Sequence, residues 1–450
     1  MRTDPYACAG PGSAATILTV LLPTSHPLRK ELHDEVHARP PLPLVSPCRV
    51  SCFALLSGNE DRSREWQALR ELGARFGVNV SEAPAGYLAA DFGAFRLKWE
   101  RHTEFSRYVI VAAGAVEKPF TQPAIDAIPG DWLTALPGKT IFAGHAEVVA
   151  SQTCEPADLA RLSADSFGDR PLVGSSVADG AAIALTDFRI DEGGYSRLLI
   201  VDRGLTPPQA GRIVQSLLEI DLYRLLALLA FPVARELSPL LARDERELAE
   251  VANLLVRANA PSEPLLLDRL TSLQAEIERY EADHHYRFGA AEAYHEIVQR
   301  RLQQLREQRI GSLQTWQEFM ERRLAPAMST CSAAMARLES LSQRVTRATQ
   351  LLSTRIGITR ESQNQQLLES MNQRAAAQLR LQATVEGLSV AAVTYYIVGL
   401  VKYLAEGLAE SGWRIDAGIV TAVSIPLIAA IVFVLVRKVR RSVARQTEES

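Results

Sequence analysis

The densest polar cluster in the chain is His26, Arg29, His33, Glu35, His37 and Arg39. Neutral imidazole binds metals and titrates near neutrality, so His33, Glu35 and His37 could supply metal ligands or acid–base groups. Arg29 and Arg39 could instead hold an anion or a nucleotide through charge-assisted hydrogen bonds. A third reading is an internal structural network. Pro40, Pro41 and Pro43 follow closely, so the segment reads as a short helix running into an extended loop, and that favours the network. The second cluster is Trp99-Glu100-Arg101-His102-Thr103-Glu104. On a strand, Glu100, His102 and Glu104 would share one face, which suits a metal or, better, a cross-strand ion-pair ladder. Arg101 joins Glu100 and His102 as a ligand-binding candidate. A third pair, Lys402 and Glu406, lies one helical turn apart in an apolar region, where the lysine can pair and reach toward headgroups. His284 and His285 sit in a helical stretch and fit a core or surface role.

Other chemistries lack their signatures. No HExxH helix, nucleophile elbow, Ser/His/Asp order or glycine-rich phosphate loop occurs. Cys8, Cys48, Cys52, Cys154 and Cys331 are scattered, with no CxxC pair, and they suit a reducing cytosol. Cys48 and Cys52 could face one side of a strand as a buried pair of small thiols. No metal or cofactor is expected. A formal net charge of -3 gives no basic field of the kind that recruits nucleic acid, which excludes DNA and RNA as partners.

These residues need elements to position them, and 450 residues favour two or three folding units. Arg2 precedes an apolar run, Ile17–Leu22, too short for a usual signal segment, so residues 1–15 read as a loose tail. Strands are expected at Arg49–Leu56, Phe92–Arg101, Tyr108–Ala113, Thr140–Val149, Ala182–Phe188 and Arg197–Val201, with helices at Arg62–Phe76 and Pro156–Leu162. Turn residues near Gly93 and across Asp191–Ser196 suggest hairpins and hence an α+β sheet rather than a doubly wound one. Thr206-Pro207-Pro208-Gln209 opens a helix to Phe231, Pro232 interrupts it, and a second stretch continues to Arg257. The run from Asn259 to Pro264 marks the end of an α+β domain spanning 16–258.

Beyond it, apolar or small residues recur at steps of three and four from Leu266 to Leu305 and again from Leu313 to Leu352, as in a coiled coil or long bundle. A single straight helix through this region would be on the order of 180 Å long, so the chain should fold back. Gly311 can end one arm, Ser312 can cap the next, and Pro326 should kink it. Past Leu352 the seam turns polar and rich in glutamine. Residues 262–385 therefore read as an antiparallel helical stalk.

Ala417–Val436 is an uncharged apolar run of about 20 residues, enough to span a bilayer core. A shorter run, Gly387–Val401, reaches that length only by extending to Leu408 and taking in Lys402 and Glu406. Together 387–408 and 417–436 form a transmembrane hairpin within 387–436, followed by a basic tail, 437–450. Arg437, Lys438, Arg440, Arg441 and Arg445 crowd the C-terminal end, which places both termini in the cytoplasm of a bacterial inner membrane.

His26-Pro27-Leu28-Arg29 with Glu35-Val36-His37-Ala38-Arg39-Pro40, and Trp99 through Ser106, resemble a bacterial family of membrane-anchored proteins, domain of unknown function 3422. Phe319 through Met328 and Val385 through Tyr396 carry the same resemblance, which implies membrane anchoring and no assigned activity. The layout is also similar to CorA-like divalent-cation channels, which place an α/β domain before a stalk and two membrane helices. Their Gly-Met-Asn signature is absent, since the corresponding loop reads Glu406-Gly407-Leu408-Ala409-Glu410-Ser411-Gly412-Trp413. The expectation is a non-enzymatic scaffold or sensor that binds the bilayer and forms a homo-oligomer through its stalk. The alternatives are a CorA-like channel or transporter and an enzyme using the His26–Arg39 segment.

Overall fold

Near-continuously buried strands build a central sheet because successive side chains of a strand point to opposite faces, and here both faces are covered by helices. The computed structural model describes residues 24–37, 39–80, 86–151, 156–257, 262–410 and 416–448. The expected tail 1–15, the Ile17–Leu22 run, Cys8, Cys154, the break at Asn259–Pro261 and the loop residues Ser411–Arg414 lie outside the described residues.

In chain order the elements are α1 (Arg29–His37), β1 (Cys48–Leu56), α2 (Arg62–Phe76), β2 (Tyr87–Asp91), β3 (Arg96–Arg101), β4 (Phe105–Ala113), α3 (Gly130–Ala135), β5 (Lys139–Ala150), α4 (Pro156–Phe167), β6 (Val173–Val177), β7 (Ala182–Ile190) and β8 (Ser196–Asp202). They are followed by α5 (Pro207–Leu228), α6 (Ala230–Arg257), α7 (Glu263–Leu305), β9 (Gln308–Arg309), α8 (Trp316–Arg323), α9 (Ala325–Glu410) and α10 (Ala417–Glu448). The strands form one mixed sheet in the order β2-β3-β4-β1-β5-β8-β7-β6-β9, with only β5 and β8 parallel among the strand pairs described. The fold is α+β, as the hairpin signals imply.

Expectations for two elements that precede the long helical arms need correction. Phe92–Arg101 is not one strand. Gly93 has φ +82° and Phe92 N–H donates to the Phe95 carbonyl (2.9 Å), which turns the chain and makes β2 and β3 a hairpin. The helix from Thr206 ends at Leu228, and Pro232 falls in the first turn of α6, where its missing N–H costs nothing. Gln209 does reach back to the Thr206 amide (2.9 Å).

Contacts divide the chain into two units, residues 1–250 with 272–345, and residues 251–271 with 346–450. In the first, one sheet face carries Phe53, Leu55, Leu97, Trp99, Tyr108 and Ile110 against Trp66, Leu69 and Leu72 of α2. A neighbouring cluster sets Ile183, Leu185, Leu199 and Val201 against Phe167, with Leu159 and Leu162 of α4 packed on it. The opposite face carries the alternate residues of β3 and β4 and meets α5. The three-four seam assigns 272–345 to the stalk. Here Tyr280, Phe288, Val298, Leu302, Met320, Leu324, Cys331, Leu338 and Val345 are buried within this one chain. The fold-back occurs at Gly311, with φ +51°. The cap of the second arm is Thr315 rather than Ser312, because Thr315 Oγ1 accepts from the Glu318 amide (3.2 Å), while Glu307 takes the Trp316 and Gln317 amides. Pro326 sits at the start of α9, so the break precedes it.

In the second unit, Glu263 pairs with Arg355 (2.7 Å), and Leu266, Leu270 and Leu352 are buried. From Ser353 to Leu404 no residue of α9 is buried. Two helical stretches, the C-terminal part of α9 and Ala417–Lys438 of α10, are long and apolar enough to cross a membrane. Asp416 caps α10 by accepting from the Gly418 amide (2.9 Å).

Candidate functional site

The β3–β4 hairpin aims charge at α5. Since Leu97 and Trp99 face α2, the strand period turns Lys98 and Glu100 to the other face, and Arg107 lies opposite Glu100 in the ladder. Arg107 Nε donates to Glu100 (2.8 Å) and its Nη1 to Glu219 of α5 (2.8 Å). Lys98 pairs with the other Glu100 oxygen (2.8 Å), and Arg301 of α7 with the other Glu219 oxygen (2.6 Å). Five charged groups are thereby chained from β3 to α7. Burial works to raise the Glu100 carboxyl, but Arg107 and Lys98 outweigh it and hold it below the usual range. Glu219 is held down in the same way by Arg107 and Arg301 against burial. The Arg107 guanidinium, whose burial opposes its charge, is kept fully ionised by Glu219 and Glu100. Burial lowers Lys98, with Glu100 opposing.

Above this network β3 stops at Arg101, and His102–Glu104 form the turn, so Glu100, His102 and Glu104 do not share a strand face as the sequence suggested. A tight turn is required because His102 N–H donates to the Phe105 carbonyl (2.8 Å). Glu104 points instead to α7, where Arg287 (2.7 Å) and the Tyr294 hydroxyl (2.7 Å) donate to it. The turn borders a cavity of about 490 Å³ lined by Arg39, Arg62, Arg101, His102, Thr103, Phe105, Tyr223 and Tyr294. His102 stacks on Phe105, with ring centroids 4.4 Å apart, and its Nε2 is buried with no hydrogen-bond partner among the described residues. Burial, then Arg107, pushes its pKa down to about 4, so the ring is neutral at neutral pH. Arg101 is steadied by Glu65 (3.0 Å) and by the Gly58 carbonyl (2.5 Å). Tyr223 and Tyr294 stack at 5.5 Å and supply an aromatic wall.

Arg39 reaches this place by a strap, residues 39–44. Lys98 Nζ donates to the Pro40 carbonyl (2.9 Å), Arg96 to the Pro43 carbonyl (2.9 Å), and the Leu44 amide to the Pro207 carbonyl (2.9 Å). The Leu42 carbonyl lies directly against Gly211 of α5, which has no Cβ to obstruct it. The prolines that end α1 thus become an extended strap with few backbone donors to satisfy.

Of the sequence candidates, Arg39, Arg101 and His102 come together at the cavity, and Glu100 lies beneath it in the ion network. His26 and Arg29 do not line it. His26 Nδ1 accepts from the Leu28 amide (3.2 Å), and Arg29 donates to Ser25 (3.1 Å), both at the surface. The side chains of Glu35 and His37 lie outside the described residues. Lys402 and Glu406 are 3.8 Å apart on α9. Arg62, Tyr223, Tyr294 and Glu219 were missed, and no spacing in the sequence links them. Phe105 and Arg107 were adjacent to a quoted motif and could have been found by pairing the hairpin. Among the described residues no group of three His, Cys, Asp or Glu could hold a metal ion. Cys48 and Cys52 are buried, free thiols that burial pushes up to about 12.

A cavity ringed by guanidinium groups, with a neutral imidazole and aromatic walls, can hold an anion with an attached planar or apolar body. A family model described as "Protein of unknown function (DUF3422)" matches residues 24–443. No curated protein and no solved structure matches the chain.

Proposed function

The chain belongs to the DUF3422 family, and for this member we propose a non-enzymatic scaffold or sensor that holds an anion at the His102 cavity and is anchored in a bilayer by its C-terminal helices. One observation carries the binding part of this reading. Arg39, Arg62 and Arg101 line a single cavity, while the carboxylates of the network beneath it are already neutralised by Lys98, Arg107 and Arg301. The cavity therefore gathers guanidinium donors to which the oxygens of an anion can bind. Carboxylates held below their usual range, as Glu100 and Glu219 are, suit electrostatic support better than proton transfer, which works best near the operating pH. The bilayer is the inner membrane of a bacterium, with both termini in the cytoplasm, on the strength of the basic residues after the second span. Self-association is assigned to α9 beyond Leu352, where Ile358, Leu368, Met371 and Leu379 are exposed.

The test uses the full-length protein in detergent and its thermal unfolding midpoint. Inorganic phosphate should raise the midpoint in proportion to the logarithm of its concentration, and the Arg39→Gln/Arg62→Gln variant should lose the rise. No rise at millimolar phosphate, or an equal rise in the variant, would remove the cavity from the proposal. Release of a product from a phosphoester substrate, abolished by the same variant, would favour the enzyme alternative.

A further inference from the structure

The anion cavity has a neighbour. A second cavity of about 770 Å³ shares Arg39 and is lined by Arg212 of α5, by Arg300 and Arg301 of α7 and by Arg306 just past its end, among others. Arg301 is held by Glu219 (2.6 Å) and Arg306 by Asp179 (2.7 Å). Arg212 and Arg300 make no ion pair with any described residue, although they stand on facing helices and border the same space. Like charges brought together without a counter-charge are unfavourable, and an anion between them relieves the repulsion.

The two cavities lie along one pair of helices. Tyr223 of α5 and Tyr294 and Ile297 of α7 belong to the first, Arg212 and Arg300 to the second, so moving backward on α5 and forward on α7 leads from one to the other. Tyr294 and Arg300 are separated along α7 by about 9 Å at 1.5 Å per residue. Glutamines enter the second cavity too. Gln215 accepts from Lys98 (3.3 Å) and donates to Glu219 (2.7 Å), which fixes its amide at the boundary of the buried network. The first cavity thus offers aromatic faces for a ring, Arg39 stands between, and the second offers guanidinium groups for further negative charge. A single phosphate held at Arg39 leaves Arg212 and Arg300 unused.

Resting on the anion-site reading above, we propose that the ligand is a nucleotide carrying two or more phosphates, its base against Tyr223 and Tyr294 and its phosphates passing Arg39 toward Arg212 and Arg300. Planar guanidinium forks match phosphate oxygens in pairs, and aromatic faces stack on any base.

Calorimetric titration of the full-length protein in detergent decides it, with inorganic phosphate, AMP, ATP and tripolyphosphate as probes without added metal. ATP should bind at least about tenfold more tightly than AMP or tripolyphosphate, since each lacks one half of the recognition. Arg212→Gln/Arg300→Gln should remove the advantage of ATP over AMP and leave AMP and phosphate unchanged, which also shows that the variant is folded. If phosphate and AMP bind but ATP gains nothing, or if the variant affects no probe, the nucleotide inference falls while the anion site stands. If tripolyphosphate equals ATP, the base contact is refuted. If no probe binds, both readings fall.

Discussion

At the scale of single residues, the sheet buries several ionisable groups in opposite ways. Glu100 and Glu219 are kept ionised by direct guanidinium partners, whereas Glu147 of β5 has weaker support. Its Oε1 accepts from the Phe120 amide (3.1 Å), and burial, opposed by that bond and by Arg49, pushes its pKa up to about 7. Between the ordinary value of 4.5 and about 7 the folded chain holds a proton that the unfolded chain releases. Stability attributable to this group therefore falls as pH rises through that window and levels off above it. Glu147→Gln keeps the acceptor oxygen and removes the titration. Thermal midpoints at pH 5 and pH 8 should show the variant gaining on the parent at pH 8 but not at pH 5, and an unchanged difference would mean that Glu147 is ionised throughout.

At the scale of elements, the strap makes the cavity. Replacing glycine by alanine inside an exposed helix stabilises by about 1 kcal/mol. At Gly211 the sign should reverse, because a methyl group there would overlap the Leu42 carbonyl. Either the strap lifts, losing the Leu44 to Pro207 hydrogen bond, or α5 shifts on the sheet. The expected outcome for Gly211→Ala is a net loss of about 1–3 kcal/mol by denaturant unfolding. The phosphate-dependent rise in midpoint should also shrink, because Arg39 moves with the strap. Stabilisation with phosphate binding intact would show that the strap does not position Arg39. The helical seam carries a different lesson at this scale. Its apolar residues between Tyr280 and Val345 are buried within a single chain, so they are not available to a second copy. Exposed apolar residues that could meet one include Ile358, Leu368, Met371 and Leu379 of α9, past Leu352.

For the whole molecule the question is what two C-terminal helices long and apolar enough to cross a membrane would do there, anchor or conduct. Leu388, Tyr395, Tyr396, Leu400 and Tyr403 are exposed on α9, and Ile419, Val423, Leu427 and Phe433 on α10, which suits contact with lipid. Along α9, Ser389, Tyr396, Gly399 and Glu406 could make a polar stripe, with Lys402 close by. A ring of lysines would oppose divalent-cation entry unless each were neutralised, and the Glu406 oxygen is 3.8 Å from Lys402. An anchor needs no such stripe. Liposomes containing the purified protein should show no cation flux above empty controls, and Lys402→Ala should still insert. Saturable flux altered by substitutions at Lys402 or Glu406 would establish the channel alternative.

The amino-acid sequence determined those features that depend on neighbours in the chain. The apolar run of α10, the capping box at Thr206, the fold-back at Gly311 and the β-branched and aromatic residues of β1 and β4 are local patterns, and local hydrogen bonding or solvent transfer fixes them. The family strings lie on the same scale, and two of them contain Arg39, Arg101 and His102. Tertiary structure decided which of those residues meet. Arg39 and Arg101 converge because a proline-rich strap crosses α5 at a glycine, and Glu219, Tyr223 and Tyr294 join them because α5 lies on the sheet face and α7, distant in sequence, meets α5 and the β3–β4 turn. No periodicity records such a meeting, since a side chain's partner across a sheet face is set by strand order and helix docking rather than by spacing. That is also why Glu100 and His102, two residues apart, part company. One is held in a buried ladder and the other faces a cavity, because the strand ends between them.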